Sequence, residues 1–443
     1  MSDASPQKCS ASEGHTAPAG STLAPEFVGE RRRAAQAALA TLVTVNVLSQ
    51  LDRQIMNVLV EPVRLDLGLD DTQIGALVGL AFAVFYSLAG FPLARVADRG
   101  NRRDLIAVAL AVWSLMTAVC GLARNFVELF LARIGVGIGE AGCAPSAQSL
   151  ISDYFPPGHR GRALATYQLG VPIGILIGSI VGGTLSDHFE WRTVFFIFGA
   201  PGLAVAVWTR LRLREPSRGQ SEGRVDGAVE PVRAVLRFFW GRPSMRHILI
   251  ASTLHTLVLG AQVTFNIAFL MRVHDLSGMQ AGIVFGLMTG VFGVLGTYAG
   301  GWLGDRFGAL DVRWSIWWLA IGAAFSIPFS VLAYLAPLPA VAIGALSIAV
   351  VGSYMYAGAA HAVAQSLAKP RMRAMTAAIM LFSMNLIGYG LGPPIAGRLS
   401  EEMGGEEALR YSLALMNVVL LWACIHYLLA ARTYRDDLRA KSM

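Results

Sequence analysis

Charged side chains interrupt two of the most apolar stretches in this 443-residue sequence. In RIGVGIGEAG, residues 133–142, Arg133 and Glu140 are about two helical turns apart, so a helix presents both from one face. In LDRQ, residues 51–54, Asp52 and Arg53 sit side by side in a second apolar run. A charge at the bilayer centre costs about 2.5–3.5 kcal/mol on insertion scales, so such residues are rare and mark ion pathways, proton relays or anchors for charged substrates. Hydrocarbon favours a neutral carboxyl, and a neighbouring guanidinium favours an ionised one. A carboxyl that alternates between those surroundings takes up and releases a proton. Asp52 and Glu140 are therefore the expected proton carriers, with Arg133 as switch partner, headgroup anchor or both. A fixed structural ion pair is the plainer reading of the same residues. Arg53 faces about 100° away from Asp52 on a helix and is expected to snorkel or pack elsewhere.

The elements that must carry these residues are membrane helices. The chain is 54% hydrophobic and only 15% charged, against about 25% charged in globular chains. Twelve apolar segments are spaced along it, at about 36–60, 73–97, 104–124, 127–152, 162–186, 191–212, 246–272, 279–303, 314–335, 339–367, 374–400 and 408–433. Each reaches the roughly 20 residues that span hydrocarbon as a helix. The expected fold class is an all-α membrane protein with twelve transmembrane helices. A net charge of +7 would suggest nucleic acid in a soluble protein, but here the distribution of the charge explains it. Of the 36 Lys and Arg, only Arg64, Arg124, Arg192, Arg272, Arg398 and Arg410 fall on the side opposite the termini, and Arg53 and Arg133 lie within the membrane. That bias predicts both termini in the cytosol. No nucleic acid partner is expected.

Cys9, Cys120, Cys143 and Cys424 are scattered without metal-ligand or disulfide spacing, so no metal is expected. No HExxH, GxSxG or Cys/His cluster appears, which argues against a membrane enzyme. A receptor is expected to carry a sizeable extramembrane domain, and no such stretch is visible. Residues 137–142 match G-x-G-x-x-G, but inside a membrane span its glycines serve close helix approach rather than a dinucleotide. No cofactor is expected beyond protons as coupling ion. The expected organisation is a disordered cytosolic tail at 1–33, a six-helix bundle at 34–212, a linker at 213–245, a second bundle at 246–433 and a short tail at 434–443. Within the linker, VRAVLRFFWGR at 232–242 spaces Val232, Val235, Leu236, Phe239 and Trp240 as a helix lying along the interface. The alternative is an early start of the seventh span.

The two halves repeat. VADRGNRRD at 96–104 follows the second span, and LGDRFGALD at 303–311 follows the eighth. Two parallel six-helix repeats place a transport site between them near the midplane. The doubled loop resembles the major facilitator superfamily signature Gly-x-x-x-Asp-Arg-x-Gly-Arg-Arg. The first copy has Ala94 and Asn101 at the two glycine positions and keeps Arg102 and Arg103; the second keeps Gly301 and Gly308 but loses the paired arginines. The resemblance implies two pseudo-symmetric six-helix bundles. It also implies a cytosolic gate formed by Asp98, Arg99, Arg102, Arg103, Asp305 and Arg306. LDRQ, RIGVGIGEAG and SDYFPPGHRGRA at 152–163 resemble the Spinster lipid transporters more narrowly. That likeness implies proton-linked movement of amphipathic lipids such as lysophospholipids, with Asp52, Arg133 and Glu140 as the functional charges. The lack of any N-x-Ser/Thr sequon and the choice of Arg over Lys point to a bacterial source, and with it to the inner (cytoplasmic) membrane.

The second half holds polar but no acidic intramembrane residues, among them His255, Gln262, Asn266, Tyr354, Tyr356, His361, Gln365 and Asn385. Gln262, Asn266, Tyr356 and His361 are the expected substrate contacts from that half. His255 or His361 could relay a proton, but a satisfied interhelical hydrogen bond is the plainer role. Pro172 and the Gly-Leu-Gly-Pro-Pro run at 390–394 sit at matching places in the halves and should kink their helices. The expectation is a monomeric alternating-access transporter, not an enzyme, whose partners are the bilayer and an amphipathic substrate. The alternative is a carrier of soluble drugs or organic anions.

Overall fold

The structure is a computed structural model that describes residues 25–216, 232–369, 372–405 and 407–442. Those residues form helices joined by short loops, with no strand among them. Eleven helical stretches among them are long and apolar enough to cross a membrane: Arg32–Val58, Asp71–Ala97, Arg102–Cys120, His159–His188, Trp191–Arg212, Pro243–His274, Gly278–Gly308, Trp314–Leu335, Pro339–Leu367, Met375–Met403 and Ala408–Ala440. The remaining expected span, the fourth, is two helices, Phe126–Glu140 and Cys143–Tyr154. Pro145 explains the break, since it offers no N–H and its ring clashes with the carbonyl of Ala141 four residues back. The twelve expected spans are therefore all present, and below they are numbered in chain order.

The ends differ from expectation. The first helix starts at Pro25, ahead of position 34, because RRRAAQAALA is rich in strong helix formers. The last helix continues through most of 434–443 to Ser442. Residues 1–24 of the expected tail and 217–231 of the linker lie outside the described residues. The linker helix is separate from the seventh span: it covers Val232–Gly241, with Val235 and Phe239 buried and Leu236 and Trp240 exposed. Arg242 then donates to the carbonyls of Asp437 and Ala440 on the last helix, and the Asp437 carboxylate accepts from the Ser244 N–H at 2.9 Å. The linker is thus tied to the second bundle.

The pairing of helices repeats with an offset of six. The third span packs on the sixth and the ninth on the twelfth; the first packs on the fifth and the seventh on the eleventh. Between the bundles, the fifth span meets the eighth and the second meets the eleventh, which are equivalent crossings under the same offset. Among the described residues, three spans carry a π-helical turn, at Ala76–Leu80, Met288–Gly293 and Met384–Tyr389. Such turns loosen the ladder of backbone hydrogen bonds and recur at functional sites. In the eleventh span, Pro393 and Pro394 follow the π turn directly, and in the fifth a break at Leu169 sits just ahead of Pro172.

The two faces of the molecule differ. On the face opposite the chain ends, called here the far face, backbone meets backbone across the seam. An added Cβ would lie 2.4 Å from the Pro393 carbonyl at Gly75, 2.4 Å from the Gly278 carbonyl at Gly183, 2.3 Å from the Ser179 carbonyl at Gly282 and 2.1 Å from the Asp71 carbonyl at Gly397. Toward the chain ends, Gly90, Gly301, Gly304 and Gly358 have nothing within 4 Å of that position. The bundles are therefore closed on each other at the far face. Gly397→Ala should destabilise the protein by about 1–3 kcal/mol through overpacking, read as a lower melting temperature. Gly358→Ala, in open space, should hold or slightly raise it. Equal melting temperatures for the two variants would show that the seam yields freely.

Candidate functional site

The first span brings a polar stripe to the seam. Gln50, Arg53, Gln54 and Asn57 recur at three- and four-residue steps, so one helix face carries all four. They line a cavity of about 220 Å³ between the bundles. Its first-bundle wall also includes Val78, Phe82, Ala83, Val171 and Ile175, and Arg133 from the fourth span. From the second bundle come Gly260, Val263, Thr264, Phe285, Thr289, Tyr354, Asn385, Tyr389 and Pro393. The cavity lies at the depth of the π-helical turns, and Thr289, Asn385 and Tyr389 belong to them.

Two guanidinium groups face this space and two carboxylates stand behind them. Arg53 donates through Nε to Glu140 Oε2 at 2.8 Å, and Ser49 Oγ donates to the same oxygen at 3.0 Å. The Arg53 guanidinium also lies over the rings of Phe82 and Tyr86, 4.6 and 4.8 Å from their centroids. Those rings stack with centroids 5.4 Å apart. The helix places Arg53 off the direction of Asp52, as expected, but toward the seam, where it is the partner of Glu140. Arg133, only 2% exposed, has Nε and Nη1 without a hydrogen-bond partner and sits 5.5 Å from the Phe82 ring centroid. Asp52, 4% exposed, accepts from Thr117 Oγ1 through Oδ1, while Oδ2 has no partner. Glu140 is 2% exposed, and its Oε1 is likewise unpartnered. Arg133, Glu140 and Arg53 all lie within electrostatic reach of Asp52.

The wall is thus cationic, with aromatic faces beside it, and suits an anionic group. An anion that binds Arg53 competes with Glu140 for the same donors. Beside this cavity is a second one of about 220 Å³, lined by Tyr86, Ser87, Gly90, Ala94, Ala141 and Pro145 from the first bundle and Ala378, Leu381, Phe382 and Asn385 from the eleventh span. Asn385 lines both cavities. The second is mostly apolar and lies between the second and eleventh spans.

The other expected contacts lie elsewhere. Asn266 is buried and accepts from the Tyr334 hydroxyl at 2.9 Å. Tyr356 stacks on His255 with centroids 4.0 Å apart, and its hydroxyl is 3.0 Å from Thr256 Oγ1. His255 Nε2 lies 3.0 Å from the Ser353 carbonyl. His361 Nδ1 lies 3.0 Å from the Ala357 carbonyl, one turn back on its own helix. Gln262 is buried with Nε2 unpartnered. None of Gln262, Asn266, Tyr356 and His361 is among the cavity-lining residues. Gln50, Gln54, Asn57, Thr264, Thr289 and Tyr389 are, and the sequence reading did not single them out. The i, i+3, i+4, i+7 polar stripe through Arg53 was the available signal for the first three.

Of the two loop motifs, the first is built around Arg102. It is 2% exposed and pairs with Asp153 and, at 2.7 Å, with Glu215, while Ser149 Oγ accepts from it at 2.8 Å. The Arg103 backbone N–H donates to Glu215 at 3.0 Å, and its side chain pairs with Asp104 at 2.8 Å. Arg99 is exposed, and the Asp98 side chain lies outside what the structure describes. In the second copy Asp305 is exposed, and Arg306 lies over Trp302 at 5.4 Å. Asp311 pairs with Arg313 and Arg435, each at 2.9 Å. The hydrogen bonds from Arg313, with help from Arg435, hold the Asp311 carboxyl well below the usual carboxylate range.

Twelve spans in two repeated bundles, with a charged cavity at the seam, define a secondary transporter. The family model of the Major Facilitator Superfamily matches residues 42–393, and the chain belongs to that superfamily. It is 34% identical over 413 residues to an MFS-type efflux pump of Mycolicibacterium smegmatis, across 92% of this chain and 95% of that protein. A solved bacterial homolog of the human lysosomal transporter Spinster, in an inward-facing and unoccupied conformation, superposes with a TM-score of 0.84. It is 32% identical, over 91% of this chain and 98% of that one. A hexuronate transporter of Bacillus subtilis is 24% identical over 371 residues, 82% of this chain and 87% of that protein. The resemblance to Spinster transporters read from the motifs therefore holds across nearly the whole chain.

Arg53→Gln should destabilise the protein by about 3 kcal/mol, because Glu140 would stay buried without its opposing charge. Adding Glu140→Gln should recover part of that loss, giving a coupling energy of about 1–3 kcal/mol in a double-mutant cycle followed by unfolding in detergent. Strictly additive losses would mean that the pair contributes no mutual stabilisation.

Proposed function

We propose that this protein moves lysolipids or related amphipathic anions by proton-linked alternating access. The observation that carries the proposal is the pairing of two cavities. One presents Arg53 and Arg133 to a polar group, and its neighbour, apolar and set between the second and eleventh spans, suits an acyl chain. An anionic headgroup binds Arg133, whose Nε and Nη1 are free to donate, and draws Arg53 away from Glu140. Glu140, released from its partner inside an apolar wall, then takes a proton. Asp52, within reach of the same charges, is the second proton-responsive carboxyl. Asp98, Arg99, Arg102, Arg103, Asp305 and Arg306 act as the cytosolic gate. In this reading the protein works as a monomer in a bacterial inner membrane with both termini cytosolic. Closure at the far face then makes the conformation inward-facing.

A second reading, a carrier of soluble organic anions or drugs, draws support from the efflux-pump and hexuronate-transporter relatives. Uptake into liposomes with an imposed pH gradient, across a panel of lysolipids and soluble anions, separates the two. The lipid reading expects gradient-driven lysolipid movement; transport of soluble anions alone would replace it. Glu140→Gln and Asp52→Asn should fold and bind but lose the pH dependence of transport. Arg133→Ala should weaken binding of an anionic lysolipid by about tenfold or more, the scale of one charge-assisted contact. Unaltered pH profiles in both carboxyl variants would remove those residues from the coupling.

A further inference from the structure

Far from the central cavity, one arginine fastens the bundles together. Arg272, at the end of the seventh span, donates through Nε to Glu61 and through Nη1 to Asp71 at 2.9 Å, with Nη2 2.8 Å from the other Asp71 oxygen. Glu61 and Asp71 belong to the first bundle and Arg272 to the second. The contact is largely dry: Asp71 is 3% and Glu61 8% exposed. Two residues of the eleventh span complete it. Ser400 Oγ donates to Asp71 at 2.8 Å, and Glu401 accepts from the Asp71 backbone N–H at 2.9 Å. Beside the cluster is a cavity of about 460 Å³ whose charged lining is Glu61, Arg64, Asp71, Arg272, Asp275 and Glu401.

The far face must part for the transporter to alternate, so these bonds must break. Each charge has a group on its own bundle that can take over from the broken bond. Arg64 lies one turn from Glu61 and bonds to it at 2.7 Å. Asp71 sits in the first turn of its helix, where the helix dipole favours a negative charge. Arg272 shares the cavity with Glu401, and the separation that frees Arg272 also frees Glu401 from the Asp71 N–H. We propose that Arg272 is an exchangeable bolt: it holds Glu61 and Asp71 when the far face is shut and moves to Glu401 when it opens. The exchange spares every group an unpaired charge as the dry contact parts, which is what would otherwise make opening costly.

The bolt predicts effects of opposite sign from neighbouring acids. Spin labels at exposed Leu65 and Met403, in a chain with its native cysteines replaced, report the width of the far face in lipid nanodiscs. Glu61→Gln with Asp71→Asn should raise the far-face-open fraction about tenfold or more. Arg272→Lys, which keeps the charge but loses the fork that reaches both acids, should raise it less than the double variant does. Adding Glu401→Gln to the double variant keeps an amide oxygen for the Asp71 N–H but removes the open-state partner, and should cut the open fraction at least threefold. Glu61→Gln alone should give an intermediate opening, which keeps the test readable if the double variant is poorly produced. Distance distributions that do not move in the Glu61 and Asp71 variants would reduce Arg272 to a static brace. An open fraction indifferent to Glu401→Gln would overturn the exchange.

Discussion

Hydrocarbon does not solvate charge, and most of this structure answers that constraint. Asp52, Arg53, Arg133 and Glu140 lie in membrane spans, so they have to face one another and the seam rather than the acyl chains. The Arg53–Glu140 bond does this most directly, joining the first span to the fourth and setting both against the second bundle. Around it, Phe82 and Tyr86 lend their ring faces to the guanidinium, which lets a cation line the seam cavity without an anion on every side. Charges held this way are sensitive to whatever else enters the space.

The scaffold supplies the movement. Glycine crossings at the far face bring carbonyls of one bundle against Cα atoms of the other, so closure there is tight and not continuously adjustable. The π-helical turns in the second, eighth and eleventh spans lie in or next to that seam, Gly79 of the first turn packing on the Gly390 carbonyl. Bending is cheapest at those turns, because their backbone bonds are already irregular. The cavity's second-bundle wall is built partly from them, so a change in bend moves Thr289, Asn385 and Tyr389 relative to Arg133.

Much of the fold was legible in residue order. Apolar length fixed the spans, the doubled Asp-Arg loop revealed the repeat, and the basic residues suggested an orientation. Breaks within spans were less visible: Pro145 stops a helix that composition alone runs straight through from 127 to 152. At the site, type and depth singled out Asp52, Arg133 and Glu140, but partnership depends on rotation about helix axes. Arg53 was expected to snorkel because adjacency to Asp52 points it elsewhere; elsewhere proved to be Glu140. The polar residues of the second half show the same limit. Asn266 and Tyr356 satisfy buried neighbours inside their own bundle, while Thr264, Thr289 and Tyr389, less conspicuous by type, reach the seam.

The four central side chains carry two positive and two negative charges when both acids are ionised, so the empty site is neutral as a unit. A proton adds one charge to it and a singly charged anion subtracts one. If the two travel together the moving assembly stays neutral, and the electrical potential across the bilayer neither helps nor hinders it. A zwitterionic passenger accompanied by a proton would instead carry net charge through the field, at about 2.3 kcal/mol for each 100 mV. With one proton moving alongside the cargo, the balance of Arg53 and Arg133 against Asp52 and Glu140 would make the sign and size of any current a report on the cargo's own charge.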